Sequence, residues 1–236
     1  MTTAKLKQQL TTAPDNVSFK PSRKTLLGTG STLLNLACAG RTYGGFPKGK
    51  YIFLVGDSSS GKTWLSLTCF AEAMHNKAFA HYRLIYDNGE DGAMMDMARY
   101  FGNKVQERVE APKVTKGKNE FSETVEDFYY NVDTALNVAT AEGGQPFIYV
   151  LDSENSLDSD AASAKFQAKK KQAAGNSAAE VAGSYGDGKA KFHSEHMRKM
   201  LKRLSGTDSI LIVISQTRDN LGFGMEKKTR SGGRAL

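Results

Sequence analysis

The residues most able to do chemistry are Gly56, Asp57, Ser58, Ser59, Ser60, Gly61, Lys62 and Thr63, which follow the apolar run Tyr51–Val55. Glycines at the first and sixth positions permit backbone angles that a side chain forbids. Successive N–H groups can then turn inward around a polyphosphate. A helix starting at Lys62 adds the positive end of its dipole. In this spacing the lysine reaches the β- and γ-phosphates, and the threonine hydroxyl is placed for Mg²⁺. The expected ligand is a nucleoside triphosphate with its metal ion, held by these eight residues.

Hydrolysis of such a ligand needs further groups, and three lie just past apolar runs. Asp152 closes Phe147-Ile148-Tyr149-Val150-Leu151 and is suited to the metal shell. Glu90 follows Arg83–Asp87 and is the leading candidate to orient the attacking water, with Asp87 and Asp91 as rivals. Gln216 follows Ile210–Ser215 and can sense the γ-phosphate. The expected catalytic set is Glu90, Lys62 and Gln216, with Thr63 and Asp152 as metal ligands. In open α/β sheets ligands bind beyond the carboxyl ends of the strands, where all these residues fall.

A second chemistry lies after Gln216. Arg218, Lys227, Lys228, Arg230 and Arg234 supply positive charge, while Gly222, Gly224, Gly232 and Gly233 allow close approach to phosphates. Phe223 is the one aromatic there and can insert between bases. The plain alternative is a basic tail without structure. Lys165, Lys169, Lys170, Lys171 and Lys189 can extend a nucleic-acid track. His193 and His196 have a helical metal spacing, but no cysteine or carboxylate pattern completes a site, so a surface or packing role is expected.

The elements that must position these groups read as alternating strands and helices. Trp64–Lys77 is apolar on most faces, with Trp64 expected in the core. Ala93–Phe101 is a second helix, Glu107–Val114 a further strand, and Ser122–Glu142 a helix with the stripe Val125, Phe128, Val132, Leu136 and Ala139. Phe192–Leu204 is a helix with Met197, Met200, Leu201 and Leu204 inward. Near-continuous apolar strands between helices indicate a parallel α/β sheet covered on both faces.

Composition agrees with one core of 236 residues at 39% hydrophobic content. No run of 18 apolar residues exists, so no membrane segment is expected. Cys38 and Cys69 are far apart and match no metal pattern, which suits a reducing cytoplasm. Residues 1–50 carry eight Lys/Arg and one acid, residues 51–157 nine and sixteen, and residues 158–236 fifteen and eight. Basic ends around an acidic middle suit a polyanion partner and head-to-tail contact between copies.

Several segments together resemble the RecA-type recombinases, the phage UvsX-like members in particular. Asn35–Gly56 is similar to the family's approach to its phosphate loop, and DNGEDGAMMDMARYFG to the segment carrying its catalytic glutamate, which falls on Glu90. FIYVLDS resembles the strand whose acid holds Mg²⁺, here Asp152. VISQTRDNLGFG followed by TRSGGRAL resembles the γ-phosphate-sensing glutamine, here Gln216, and the family's second DNA-binding loop. The resemblance implies an α/β RecA-like P-loop NTPase core over 28–236, with a mainly parallel central sheet flanked by helices. Composition and charge, rather than the resemblance, mark residues 1–27 as a candidate oligomerisation arm and about 158–190 as a flexible insertion, longer than the family's first DNA-binding loop in that place. The resemblance implies ATP and Mg²⁺ as cofactors, and single-stranded and double-stranded DNA as partners. It also implies head-to-tail self-association into a filament or ring, no membrane contact and a bacterial or phage-infected cytoplasm. DNA contact falls on Arg218, Phe223, Lys227, Lys228, Arg230, Gly232, Gly233 and Arg234. The family's later strands would follow Leu236, so a C-terminally incomplete core is expected. The expected function is ATP-dependent pairing and strand exchange. The alternatives are another RecA-core DNA-dependent motor, helicase-like or accessory, or a nucleotide-gated DNA-binding module with negligible turnover.

Overall fold

The computed structural model describes residues 20–90, 95–159, 187–219 and 228–230; for 187–191, 218–219 and 228–230 it gives the backbone alone. In chain order the elements are β1 (Leu26–Leu27), α1 (Thr32–Ala39), β2 (Phe46–Pro47), β3 (Tyr51–Gly56), α2 (Lys62–His75), β4 (Arg83–Asp87), α3 (Met97–Phe101) and α4 (Asn103–Arg108). They continue with β5 (Val109–Glu110), β6 (Lys113–Thr115), β7 (Lys118–Glu120), α5 (Val125–Thr140), β8 (Phe147–Leu151), a single 3₁₀ turn (Glu154–Ser156), α6 (Asp187–Thr207), β9 (Ile210–Asp219) and β10 (Lys228–Arg230).

The central sheet is mainly parallel, as the apolar runs predict. Its parallel strands lie in the order β3-β9-β8-β4-β5. β8 is buried along its whole length, because neighbours flank it on both sides and helices cover both faces. One face packs Leu67, Phe70 and Ala73 of α2 and Phe101 of α3 against Leu84, Ile148 and Ile212. The other packs Phe128, Val132 and Leu136 of α5 and Met197 and Leu204 of α6 against Phe147, Tyr149 and Leu211. Each face buries about ten or more large apolar side chains, at roughly 1.5–3 kcal/mol apiece.

Local signals set the helix ends. Ser31 caps α1, its hydroxyl accepting from the Leu34 N–H. Thr124 and Asp127 form a reciprocal capping box on α5. Some expectations are corrected. Glu107–Val114 is not one strand: α4 runs to Arg108, and a hairpin of β6 and β7 begins at Lys113, turning at Lys116 and Gly117, both at positive φ. Leu201 is 39% exposed and turns off the inward stripe of α6, where Met197, Met200 and Leu204 remain buried. The last long strand does not stop at Ser215. β9 continues to Asp219, and β10 folds back antiparallel, pairing Thr217 with Arg230 and Arg218 with Thr229.

Several expected features lie outside the described residues: the arm up to residue 19, Asp91, the insertion from 160 to 186, Phe223, Lys227, Gly232, Gly233 and Arg234. Among the described residues no helix is long and apolar enough to cross a membrane.

Candidate nucleotide site

Parallel pairing brings the ends of β3, β4, β8 and β9 to one edge, and the candidate residues follow those ends. The loop from Gly56 to Thr63 turns sharply into α2, with Gly61 at φ +85°, a backbone state that penalises side chains. A Cβ at Gly56 would come within 2.8 Å of the Ser60 hydroxyl, so a side chain there would force that hydroxyl to turn away. Lys62 Nζ donates to the carbonyls of Gly56 (3.0 Å) and Asp57 (2.6 Å) and lies 3.3 Å from Ser60 Oγ. Its ammonium stands at the loop mouth.

A cavity of about 380 Å³ opens there, lined by the loop together with Trp64, Asn88, Glu90, Met95, Asp152 and Gln216. A larger one, about 740 Å³, lies beyond Asn88 along the β6–β7 hairpin and the start of α5. The smaller cavity is the better candidate for a phosphate because, of the two, only it is lined by Ser58–Thr63, Lys62 included.

Thr63 Oγ1 donates to Asp152 Oδ2 at 2.7 Å, and buried Tyr86 donates to the same oxygen at 3.0 Å. Burial raises the Asp152 carboxyl above the usual carboxylate range; the Thr63 and Tyr86 donors pull it back, neighbouring Glu90 raises it further and Lys62 lowers it. One carboxylate beside one hydroxyl is a poor cage for a free metal ion. It does fit Mg²⁺, which keeps waters and takes phosphate oxygens as remaining ligands. Among the described residues no cluster of three or more metal-binding side chains exists.

The pairing of β4 with β8 runs on past both strands. The Asp152 N–H reaches the Asp87 carbonyl at 2.9 Å, and the Glu90 N–H reaches the Asp152 carbonyl at 3.1 Å. Glu90 is thereby set beside Asp152. Its Oε1 accepts from Gln216 Nε2 at 2.9 Å and from the Ser153 hydroxyl.

Asp87, a rival for the water-orienting role, points elsewhere. It is fully buried, and it accepts from the Ser122 N–H (2.8 Å), the Ser122 hydroxyl (2.6 Å) and the Tyr149 hydroxyl (2.5 Å). Burial raises its carboxyl and these donors lower it again. A raised carboxyl means the folded chain binds the proton more tightly than the unfolded one. The contribution of Asp87 to stability is therefore greatest at low pH and falls as pH rises through its folded-state value. Its three donors offset part of the cost of burying the carboxyl. Asp87→Ala strands those donors and is expected to cost about 3–5 kcal/mol in urea unfolding, with Asp87→Asn costing less. Equal stability of Asp87→Ala and the parent chain would refute this structural role.

One further side chain departs from expectation, and the histidine pair takes the packing role expected of it. Trp64 is 44% exposed rather than core. It lies on the cavity rim with its ring 5.0 Å from that of Tyr100, because the phosphate loop leaves the start of α2 uncovered. His193 is fully buried: Nδ1 lies 2.8 Å from the Tyr129 hydroxyl, and Nε2 lies 3.5 Å from Glu154 Oε1, within ion-pair range but long for a hydrogen bond. His196 packs on Phe192 with ring centres 4.0 Å apart, so no metal site forms from the pair. Asn155, which the sequence did not single out, accepts from the Gln216 N–H at 2.6 Å. A short polar residue three positions past a strand-ending acid was its only signal.

No family model matches the chain. Curated bacterial proteins do. A plasmid-borne protein RecA of Lactococcus lactis is 27% identical over 208 residues, covering 87% of this chain and 50% of the relative. The protein RecA of Cytophaga hutchinsonii is 29% identical over 219 residues, covering 89% and 50%. These likenesses support a RecA-type family. The protein RecA of Bacteroides thetaiotaomicron adds a third match, 29% identical over 219 residues, covering 89% of this chain and 54% of its own. The chain thus spans about half the length of the curated relatives it matches. The mainly parallel, helix-flanked sheet agrees with a RecA-like α/β core.

Proposed function

We propose that this chain is an ATP-dependent DNA recombinase that coats single-stranded DNA as a filament and promotes homologous pairing and strand exchange. The observation that carries the reading is the meeting, at one sheet edge, of Lys62 and Thr63 with Asp152, Glu90 and Gln216, with Glu90 and Gln216 2.9 Å apart. In this reading Gly56–Thr63 cradle the phosphates, and Lys62 neutralises charge on the β- and γ-phosphates. Thr63 and Asp152 hold Mg²⁺, Glu90 orients the attacking water, and Gln216 senses the γ-phosphate. Bound Mg²⁺ neutralises charge that develops on the phosphates.

The link to DNA rests on β9. Gln216 lies two residues before Arg218 on a strand whose hairpin partner, β10, carries Lys228 and Arg230. A change in Gln216 on loss of the γ-phosphate can thus alter the ribbon that bears the basic residues, and with it affinity for DNA. Phe223, Lys227, Gly232, Gly233 and Arg234 complete the proposed contact. Double-stranded DNA is the second substrate, copies of the chain associate head to tail, and the working compartment is the cytoplasm.

The test is ATP hydrolysis with and without single-stranded DNA, followed by homology-dependent joint-molecule formation. Strong stimulation with joint molecules supports the recombinase. Stimulation without them favours a helicase-like or accessory motor, and tight ATP binding without turnover favours a nucleotide-gated module. Neutralising Lys227, Lys228 and Arg230 together is expected to weaken DNA binding and to flatten the dependence of log affinity on log salt by about 2. An unchanged slope would return this segment to a basic tail.

A further inference from the structure

The turn after Asp152 bears a side chain that the nucleotide chemistry leaves unused. β8 ends at Leu151, but β9 runs on to Asp219, so beyond Val213 β9 has lost its partner on the β8 side. Asn155 fills that place. Its Oδ1 accepts from the Gln216 N–H at 2.6 Å and from the Ser215 hydroxyl at 3.1 Å, and its Nδ2 donates to the Gln216 carbonyl at 3.3 Å. One side-chain amide thus grips both backbone polar groups of Gln216, much as a neighbouring strand would. Gln216 projects from this held backbone and donates to Glu90.

The grip has a firm base. The preceding residue, Glu154, is fully buried against His193 of α6, and His193 is held in turn by Tyr129 of α5. The tautomer with its proton on Nε2 suits both neighbours, since Nδ1 can accept from the Tyr129 hydroxyl while Nε2–H faces the carboxylate. Adjacent residues of one short turn therefore face opposite ways, one into the helical layer and one onto β9.

We propose that Asn155 is a positioning residue for Gln216, acting from a turn that Glu154 and His193 fix to the helical layer. This deepens the reading above and rests on Gln216 acting on bound ATP. A residue that acts only through Gln216 changes turnover, leaves ATP binding nearly alone, and has no effect once Gln216 is gone.

The experiment compares the full chain with Asn155→Ala, Gln216→Ala and the double variant. Asn155 lies partly exposed on a turn, so its truncation leaves both core layers intact. Expected are a fall in kcat of about tenfold for Asn155→Ala with KM within about twofold, and a double variant no slower than Gln216→Ala. Effects that multiply, or an Asn155→Ala chain as fast as the parent, overturn the proposal. Wild-type turnover in Gln216→Ala would instead remove the parent reading and this inference with it. Amide exchange at Gln216 is read whether or not the chain turns over ATP. It should be at least about tenfold faster in Asn155→Ala, and unchanged protection overturns the grip itself.

Discussion

Glu90→Gln is expected to lower ATP turnover by about 100-fold or more, equivalent to roughly 3 kcal/mol of barrier, while ATP binding stays within a few-fold of the parent. Glu90 Oε1 already accepts from Gln216 Nε2 and the Ser153 hydroxyl, and a glutamine oxygen can keep both bonds. What the amide lacks is negative charge and basicity, which orienting and deprotonating a water require. Binding is expected to be spared because the proposed site rests the phosphates on the loop and Lys62. It is also helped, because Glu90 is one of the charges that raise the Asp152 carboxyl. Neutralising it eases ionisation of the acid assigned to Mg²⁺. Single-turnover hydrolysis together with an ATP titration separates the two effects. Normal turnover in the variant would move the water-orienting role elsewhere, and Asp91 would be the remaining rival.

Lys62→Ala is expected to weaken ATP binding by about 100-fold or more, since truncating one side of a close charge pair costs about 2–5 kcal/mol. The folded chain should tolerate the change. The carbonyl of Asp57 and the hydroxyl of Ser60, which the ammonium now contacts, lie at an exposed loop where water can replace it. The chain supplies its own probe: Trp64 is its single tryptophan, and it lies half-exposed on the rim of the cavity. Mg·ATP should change its fluorescence in the parent chain, and the titration should vanish or shift to far higher ATP in Lys62→Ala. Superimposable titrations would mean that ATP does not bind at this loop.

The loop Gly56–Thr63 and its strand-loop-helix setting could be read from the chain because the pattern depends on local backbone chemistry. Two glycines, a lysine and a hydroxyl at set spacing need little from distant residues beyond a strand before and a helix after. The parallel sheet was legible for a related reason: runs such as Phe147–Leu151 and Ile210–Ile214 can be hidden only with neighbours on both sides and covers on both faces. The stripe of Val125, Phe128, Val132 and Leu136 marked α5 in the same way.

Other assignments depended on partners far away in sequence. Asp87, Glu90 and Asp91 are nearly equivalent as text. Ser122 and Tyr149 take Asp87 into the core, while the continued β4–β8 pairing and Gln216 bring Glu90 to the cavity. Trp64 reads as core from its apolar neighbours, yet it sits at the uncovered first turn of α2. His193 and His196 share a spacing, but one is enclosed by Tyr129 and Glu154 and the other stacks on Phe192. By itself, the sequence determined the loop pattern of Gly56–Thr63, the apolar strands whose ends lie beside it and the basic charge that follows. The tertiary structure alone decided which acid faces the cavity beside the loop and which polar group grips Gln216, because burial and hydrogen bonding are set by residues that meet only when the chain folds.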